Sequence, residues 1–178
     1  MSQVGKLNMV NAKLGATMPG QQTTRYIYDS ITAAAGQANY NFFQTFAGKN
    51  DLQSNLTTNK LDSSESMVIK SIYVSGNITP GFSGHSNINI TVGNQVVLKD
   101  FNIAFNSTNR GLAFDRLHSG VTSGNNVEIR LLTDIVIPPQ VNFKVTMELA
   151  EGSAVLVGEN ITLGLKGYGT IFSAGSTF

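Results

Sequence analysis

Apolar and polar residues alternate along most of this chain with a period of two. The clearest run covers residues 140–149, where every second position is apolar. These positions are Val141, Phe143, Val145, Met147 and Leu149. Because successive side chains of a β-strand point to opposite faces of a sheet, this run predicts a strand with one buried face and one exposed face.

Shorter runs with the same period predict further strands. The clear ones are residues 88–92, 101–105, 127–131 and 161–165. Weaker patterns predict strands at residues 25–32, 40–46, 67–75 and 95–99. Residues 30–38, which contain three consecutive alanines, are the helical candidate and an alternative to a strand there. The pattern as a whole predicts eight or nine strands.

Turn-forming residues separate these runs. Gly93 and Asn94 stand between two alternating runs, which is typical of a two-residue hairpin. Pro138 and Pro139 must end a strand before the run at 140–149, because proline has no N–H to donate to a sheet. The chain is therefore divided into many short strands by turns.

Two longer connections, at residues 47–66 and 106–126, argue against a simple up-and-down meander. They favour Greek-key crossings, which are typical of a jelly roll. The sequence thus predicts an all-β fold, a single jelly-roll sandwich of eight or nine antiparallel strands. An immunoglobulin-like sandwich is the alternative, although its cysteine and tryptophan hallmarks are absent from this chain.

The first 24 residues lack any sustained period. Glycines and a proline interrupt the pattern, and the apolar residues are scattered. We expect an extended N-terminal arm at residues 1–24, followed by the jelly-roll domain at residues 25–178. Such an arm adds little to the core of the domain, so we expect it to become ordered only through contacts with neighbouring copies.

Charge is unusually sparse. Charged residues make up 13% of the 178 residues and the net charge is +1, against about 25% charged residues in ordinary soluble domains. The surface must then consist mainly of Asn, Ser, Thr, Gln and Gly, which suits large contacts that bury no charge. The small net charge argues against a dedicated duplex-binding protein. A secreted or cell-surface β domain is the alternative for such a composition.

Cysteine usage and apolar stretches exclude several classes of protein. The chain has no cysteine, so it has neither disulfides nor Cys-based zinc sites. Its apolar stretches are far shorter than the roughly 20 residues of a membrane span. Residues 1–22 lack the apolar region of a secretory signal. We therefore expect synthesis in the cytoplasm without export by that route.

Candidate catalytic and metal-binding residues are few. The two histidines, His85 and His118, lie in polar stretches rich in glycine and serine. His118 lies near Asp115 and Ser119, but a Ser-His-Asp triad is defined by geometry and not by sequence proximity. The carboxylates are scattered and form no EF-hand loop. We predict no catalytic, cofactor-binding or metal site, and leave open a calcium ion held by loop carbonyls.

Three further groups of residues have both a functional and a structural interpretation. Gly164, Gly167 and Gly169 fall within a strand pattern, where close packing or a bulge explains them better than nucleotide binding. The tyrosines are interpreted as ordinary strand residues, although a sugar-binding sandwich would also use exposed aromatic side chains. They are Tyr26, Tyr28, Tyr40, Tyr73 and Tyr168. The basic residues Lys6, Lys13 and Arg25 are either solvated charges or contacts to a genome or acidic lipid.

Three segments carry a resemblance to a known family. They are MVIKSIYVSG at residues 67–76, IVIPPQVNFKVTMEL at residues 135–149 and NITLGLKGYGTIF at residues 160–172. In this order they resemble the jelly-roll capsid proteins of small tailless icosahedral bacteriophages, over roughly residues 25–172. The resemblance implies an icosahedral shell, arms that tie neighbours together and an enclosed genome, sometimes with an internal lipid membrane. It brings no catalytic residues.

Together these observations predict a structural, non-enzymatic subunit of a viral capsid that assembles with copies of itself and with other capsid proteins. We expect contact with genome or internal membrane through the arm, no small-molecule substrate and no cofactor. Its expected location is the virion, after synthesis in the host cytoplasm. The alternative is a carbohydrate-binding or adhesive β-sandwich module. The sequence does not distinguish a major from a penton subunit.

Overall fold

The computed structural model describes residues 20–76, 78–79, 86–102, 125–149, 154–155 and 157–172. Every regular element within these ranges is a β-strand. The strands are β1 (Gly20–Thr32), β2 (Asn39–Phe42), β3 (Glu65–Gly76), β4 (Ile78–Thr79), β5 (Ser86–Val92), β6 (Gln95–Asn102), β7 (Asn125–Ile137), β8 (Phe143–Leu149), β9 (Ala154–Val155) and β10 (Asn160–Phe172).

Eight of these strands form two four-stranded sheets. The first sheet has the order β1-β10-β3-β7 and the second sheet has the order β2-β8-β5-β6, while β4 and β9 pair as a small ribbon. The antiparallel pairs β1–β10, β2–β8, β3–β7 and β5–β6 are nested within one another along the chain. This is one long hairpin wrapped so that its strands are shared between two sheets, which is the jelly roll. The predicted fold class is confirmed.

The hydrophobic core lies between the two sheets. Alternate residues of each strand point inwards, as the period of two predicts. Ile88 and Ile90 of β5 and Leu163 and Leu165 of β10 are fully buried. The interior of this sandwich is therefore filled by side chains.

Strand β8 confirms the strongest sequence pattern. Phe143, Val145, Met147 and Leu149 are buried and belong to the core cluster. Val141 is different, because it precedes the strand and is only half-buried. Residues 140–142 precede the strand, and Gln140 lies in a turn with a φ of 57°.

Strand β2 is shorter than the sequence predicts. It ends at Phe42, and the prediction of a strand through residue 46 is wrong beyond that point. Phe43 has a φ of 60°, which no strand allows. A buried carboxylate holds this turn, since Asp29 accepts a hydrogen bond from the Phe43 N–H at 2.7 Å and from Lys49 Nζ at 2.6 Å.

The helical alternative at residues 30–38 is wrong. Its first three residues are the end of β1, and a turn follows with Gly36 at a φ of 72°. The runs predicted at 95–99 and 101–105 are joined, up to Asn102, in the single strand β6. Residues 103–105 lie outside the described ranges.

The predicted boundary between the arm and the jelly-roll domain, at residue 24, stays a prediction. Strand β1 begins at Gly20, and its residues 20–24 pair with residues 168–172 of β10. These five residues are therefore part of the first sheet. Residues 1–19 lie outside the part of the chain that the structure describes.

Candidate binding faces of the two sheets

The outer face of the second sheet is covered by amide and hydroxyl side chains. They occupy facing positions on all four strands, namely Asn39, Asn41, Thr146, Asn87, Asn89, Thr91 and Asn102. Asn102 Nδ2 donates to Asn87 Oδ1 at 3.1 Å, and Asn89 Oδ1 accepts from the Asp100 N–H at 2.7 Å. Lys144 and Glu148 of β8 add one charge of each sign. This face is polar with little net charge.

The outer face of the first sheet is rich in tyrosine. The strand register places four of the five tyrosines on it, namely Tyr26, Tyr28, Tyr73 and Tyr168. The rings of Tyr26 and Tyr28 have centroids 5.8 Å apart. Between their strand and β3 lies Gly164, where an added Cβ would meet the Tyr26 hydroxyl at 2.5 Å. The glycine therefore leaves room for the Tyr26 ring to lie across the sheet.

A groove of about 440 Å³ opens on this tyrosine-rich face. It lies where the β10–β3 and β3–β7 registers both shift, next to Lys70. Gly167 allows the strands to approach there, because a Cβ at this position would lie 1.9 Å from the Val68 carbonyl oxygen. The groove is lined by Thr24, Lys70, Ser71, Glu128, Arg130, Leu131, Lys166, Gly167 and Tyr168. Bulges commonly create such depressions and redirect side chains.

Charges in the groove are partly paired. Lys70 Nζ lies 2.6 Å from Asp134 Oδ1, and Lys166 Nζ lies 3.3 Å from Glu128 Oε1. Ser71 Oγ donates to the same Glu128 oxygen at 2.9 Å. Arg130 is the exposed arginine of the groove, and its charge also acts on Glu128. Arg130 is therefore available to a ligand.

Burial and neighbouring groups change two pKa values on this face. Partial burial raises the pKa of the Glu128 carboxyl, but hydrogen bonds from Ser71 and Lys166 and the nearby cations outweigh it, so that this pKa is lowered. Burial, together with the proximity of Tyr73, Glu128 and Tyr28, raises the pKa of Tyr26. At neutral pH Glu128 is an anion and Tyr26 is a neutral hydroxyl.

A loop covers part of the open edge of β1. Asn55 Nδ2 donates to the Tyr26 carbonyl at 2.7 Å, and Asn55 Oδ1 accepts from the Tyr28 N–H at 3.0 Å. The Ser30 N–H donates to the Gln53 carbonyl at 2.7 Å. The side-chain amide thus takes the place of a neighbouring strand and protects this edge from pairing with another chain.

The residues singled out from sequence are only partly brought together. His85, His118, Lys6 and Lys13 lie outside the described residues. Arg25 pairs with Glu65 at 2.8 Å. Across the described ranges, no three His, Asp or Glu side chains are grouped as metal ligands. Nor does this part of the chain contain a helix long and apolar enough to cross a bilayer.

The groove contains residues that sequence reasoning did not single out. Arg130, Lys70 and Glu128 come from strands distant in sequence from Tyr168 and Thr24. Alternation alone predicts that Tyr26 and Tyr28 share one face of β1, and that Lys166 and Tyr168 share one face of β10. It does not identify which strands are neighbours, so the groove had no sequence signal.

Comparison with known proteins gives similarity at the level of fold. No known protein family and no curated protein matches the sequence. The structure is similar to the major capsid protein P2 from bacteriophage PM2, with 5% identity and a TM-score of 0.43, covering 89% of this chain and 47% of that chain. This chain thus spans about half the length of that protein.

Two further solved structures are similar over most of their length. A chain of the cyanophage Pam1 capsid asymmetric unit has 13% identity and a TM-score of 0.35, with 87% of this chain and 91% of that chain covered. A chain of Desmodium yellow mottle tymovirus has 11% identity and a TM-score of 0.31, with coverage of 89% and 93%. At these values the similarities carry no argument about function.

Proposed function

We propose that this chain is a structural subunit of an icosahedral capsid of a small tailless bacteriophage, which assembles into a shell that encloses the genome. The observation that carries the proposal is the outer face of the second sheet. It offers amides and hydroxyls on four adjacent strands and almost no net charge. Burying such a face against another subunit desolvates few charges.

The filled sandwich supports the same role. Its interior is occupied by apolar side chains from both sheets. A jelly roll of this kind is a rigid wedge, and symmetry repeats its contacts until a closed shell forms. A stable contact buries about 800 Å² on each partner. We propose no enzymatic activity, no cofactor and no small-molecule substrate for this wedge.

The proposal extends to partners and location. The subunit contacts copies of itself and other capsid proteins, and its N-terminal arm contacts the genome or an internal membrane. It is made in the host cytoplasm and resides in the virion. The rival function is a carbohydrate-binding or adhesive β-sandwich module, which would act as a stable monomer.

Light scattering and electron microscopy of the purified chain test the proposal. We expect large oligomers or shells, formed alone or with the other capsid proteins of the same source. Thr146→Lys places a charge in the middle of the second sheet's outer face and should abolish assembly while the circular dichroism spectrum stays unchanged. Ser63→Lys, at an exposed turn position, is the matched control. The proposal would be overturned if the chain stayed monomeric both alone and when mixed with the other capsid proteins of the same source.

A further inference from the structure

The groove beside Lys70 combines an available cation, hydroxyl groups and an aromatic ring on one sheet face. We propose that it binds an acidic saccharide, meaning a hydroxylated sugar ring that carries a carboxylate or sulfate group. This inference does not rest on assembly into a shell, because every residue that lines the groove belongs to one chain. It adds a ligand-binding activity to the structural role.

The anionic group is assigned to the β7 end of the groove. Arg130 is exposed there, and its planar guanidinium is suited to a carboxylate or sulfate. Lys166 is the second cation, with its side chain 51% exposed and only a 3.3 Å contact to Glu128. Lys70 is held more tightly by Asp134 at 2.6 Å. Arg130 and Lys166 are therefore the cations that a ligand can recruit.

The sugar ring is assigned to the part of the groove at β1 and β10. Thr24 and Tyr168 are register partners on these strands, and they provide a hydroxyl group beside a half-buried aromatic ring. Ser71 and Lys166 both contact Oε1 of Glu128. The other oxygen of this carboxylate is therefore the acceptor for sugar hydroxyls. Small-molecule sites are commonly about 300–1,000 Å³, and a groove of about 440 Å³ holds one or two sugar rings.

The charge balance favours a saccharide over a nucleic acid. The cations Lys70, Lys166 and Arg130 face the carboxylates Glu128 and Asp134, which leaves one net positive charge. A nucleic-acid strand gains affinity by having several phosphates neutralised along its backbone. One net charge with several hydroxyl groups instead matches a ligand that has one anionic group and many hydroxyls.

Tyrosine fluorescence provides a direct assay. The chain has no tryptophan, and four of its five tyrosines lie on the face that contains the groove. We expect titration of the full chain with galacturonate, or with galactose 6-sulfate, to give a saturable change in tyrosine emission. Neutral maltotriose should give at least tenfold weaker binding, since the charged hydrogen bonds are lost.

Two variants and a control locate the site. Arg130→Gln and Lys166→Gln should each weaken binding of galacturonate about tenfold, with an unchanged circular dichroism spectrum. Lys144→Gln removes an exposed lysine from the opposite sheet and should leave the affinity unchanged. If one groove variant fails to fold, the other alone tests the assignment.

Several outcomes would overturn the inference. They are the absence of saturable binding of either acidic sugar, equal affinity for maltotriose, or wild-type affinity in the groove variant that folds. Tighter binding of a short oligothymidylate, lost in the same variant, would assign the groove to nucleic acid instead. Because the assay uses the single chain in solution, none of these results depends on whether shells form.

Discussion

Side chains along β8 alternate between two environments. Phe143 is 2% exposed and packs against Phe43, with ring centroids 5.2 Å apart. Lys144 next to it is exposed on the other face. The same alternation in the sequence therefore identifies which residue stabilises the core and which contacts solvent.

Phe143→Ala should lower the free energy of unfolding by about 3–5 kcal/mol, because it removes a buried ring and leaves a cavity. Val141→Ala, at the half-buried turn before β8, should cost clearly less. Urea unfolding of both variants measures the difference. A negligible loss for Phe143→Ala would mean that β8 does not bury this face.

Asp29 is a fully buried carboxylate that connects β1 to the turn after β2. Asp29→Ala should cost about 3–5 kcal/mol, because Lys49 would lose its partner and the Phe43 N–H its acceptor. Thermal unfolding measures the loss. Asp62→Ala, at an exposed position, is the control and should be near neutral. Equal effects of the two substitutions would show that the buried pair does not stabilise the turn.

Tyr26 should be among the last tyrosines to ionise. Its pKa is raised above the ordinary value of about 10. The stability linked to its protonated form is therefore complete below pH about 10 and is lost as the pH rises through the folded-state pKa. Ultraviolet titration should show that Tyr26→Phe removes one late-ionising group, while Tyr40, whose pKa burial also raises, remains. Loss of an early-ionising group would contradict this assignment.

At the scale of elements, the irregularity in β10 gives the first sheet its groove. Gly167→Ala would place a Cβ 1.9 Å from a backbone carbonyl in the middle of the sheet. We expect it to lower the unfolding free energy by about 1–3 kcal/mol or more, as overpacking does. Gly164→Ala is the matched variant, because its Cβ meets only the movable end of the Tyr26 side chain. Denaturant unfolding should rank Gly167→Ala as the more damaging, and the reverse order would contradict the register.

The sheet edges formed by β1 and β6 differ in how they are protected from pairing with another chain. The β1 edge is covered by Asn55, whereas β6 is an outer strand with Val96 and Val97 exposed at 56% and 43%. Two register shifts interrupt the pairing of β6 with β5. Bulges of this kind twist an edge away from pairing with another chain. Contacts between copies are thus better assigned to the faces than to the strand edges.

At the scale of the whole molecule, the start of the domain can be tested by two deletions. Removal of residues 1–24 should destabilise the monomer more than removal of residues 1–19, because only the longer deletion removes the strand residues that pair with 168–172. Thermal unfolding measures the difference, and light scattering reports assembly. We expect both deletions to weaken assembly. Equal monomer stability would place the domain boundary at residue 24.

The sequence predicted the fold class and the inward faces of the long strands. Alternation over residues 140–149 has a local cause, because neighbouring side chains in an extended chain always point to opposite sides. The end of β2 could not be predicted in this way. Asp29 and Lys49, which hold the turn at Phe43, are each several residues away in sequence.

Alternation and composition are enough to predict that the chain is all-β, sparsely charged and built around one apolar face per strand. Which strands are neighbours depends on the fold, and so do the groove at Lys70 and the amide-rich outer face. The physical reason is that period and turn chemistry act within a few residues. The contact of Glu128 on β7 with Lys166 on β10 instead depends on β3 lying between those strands.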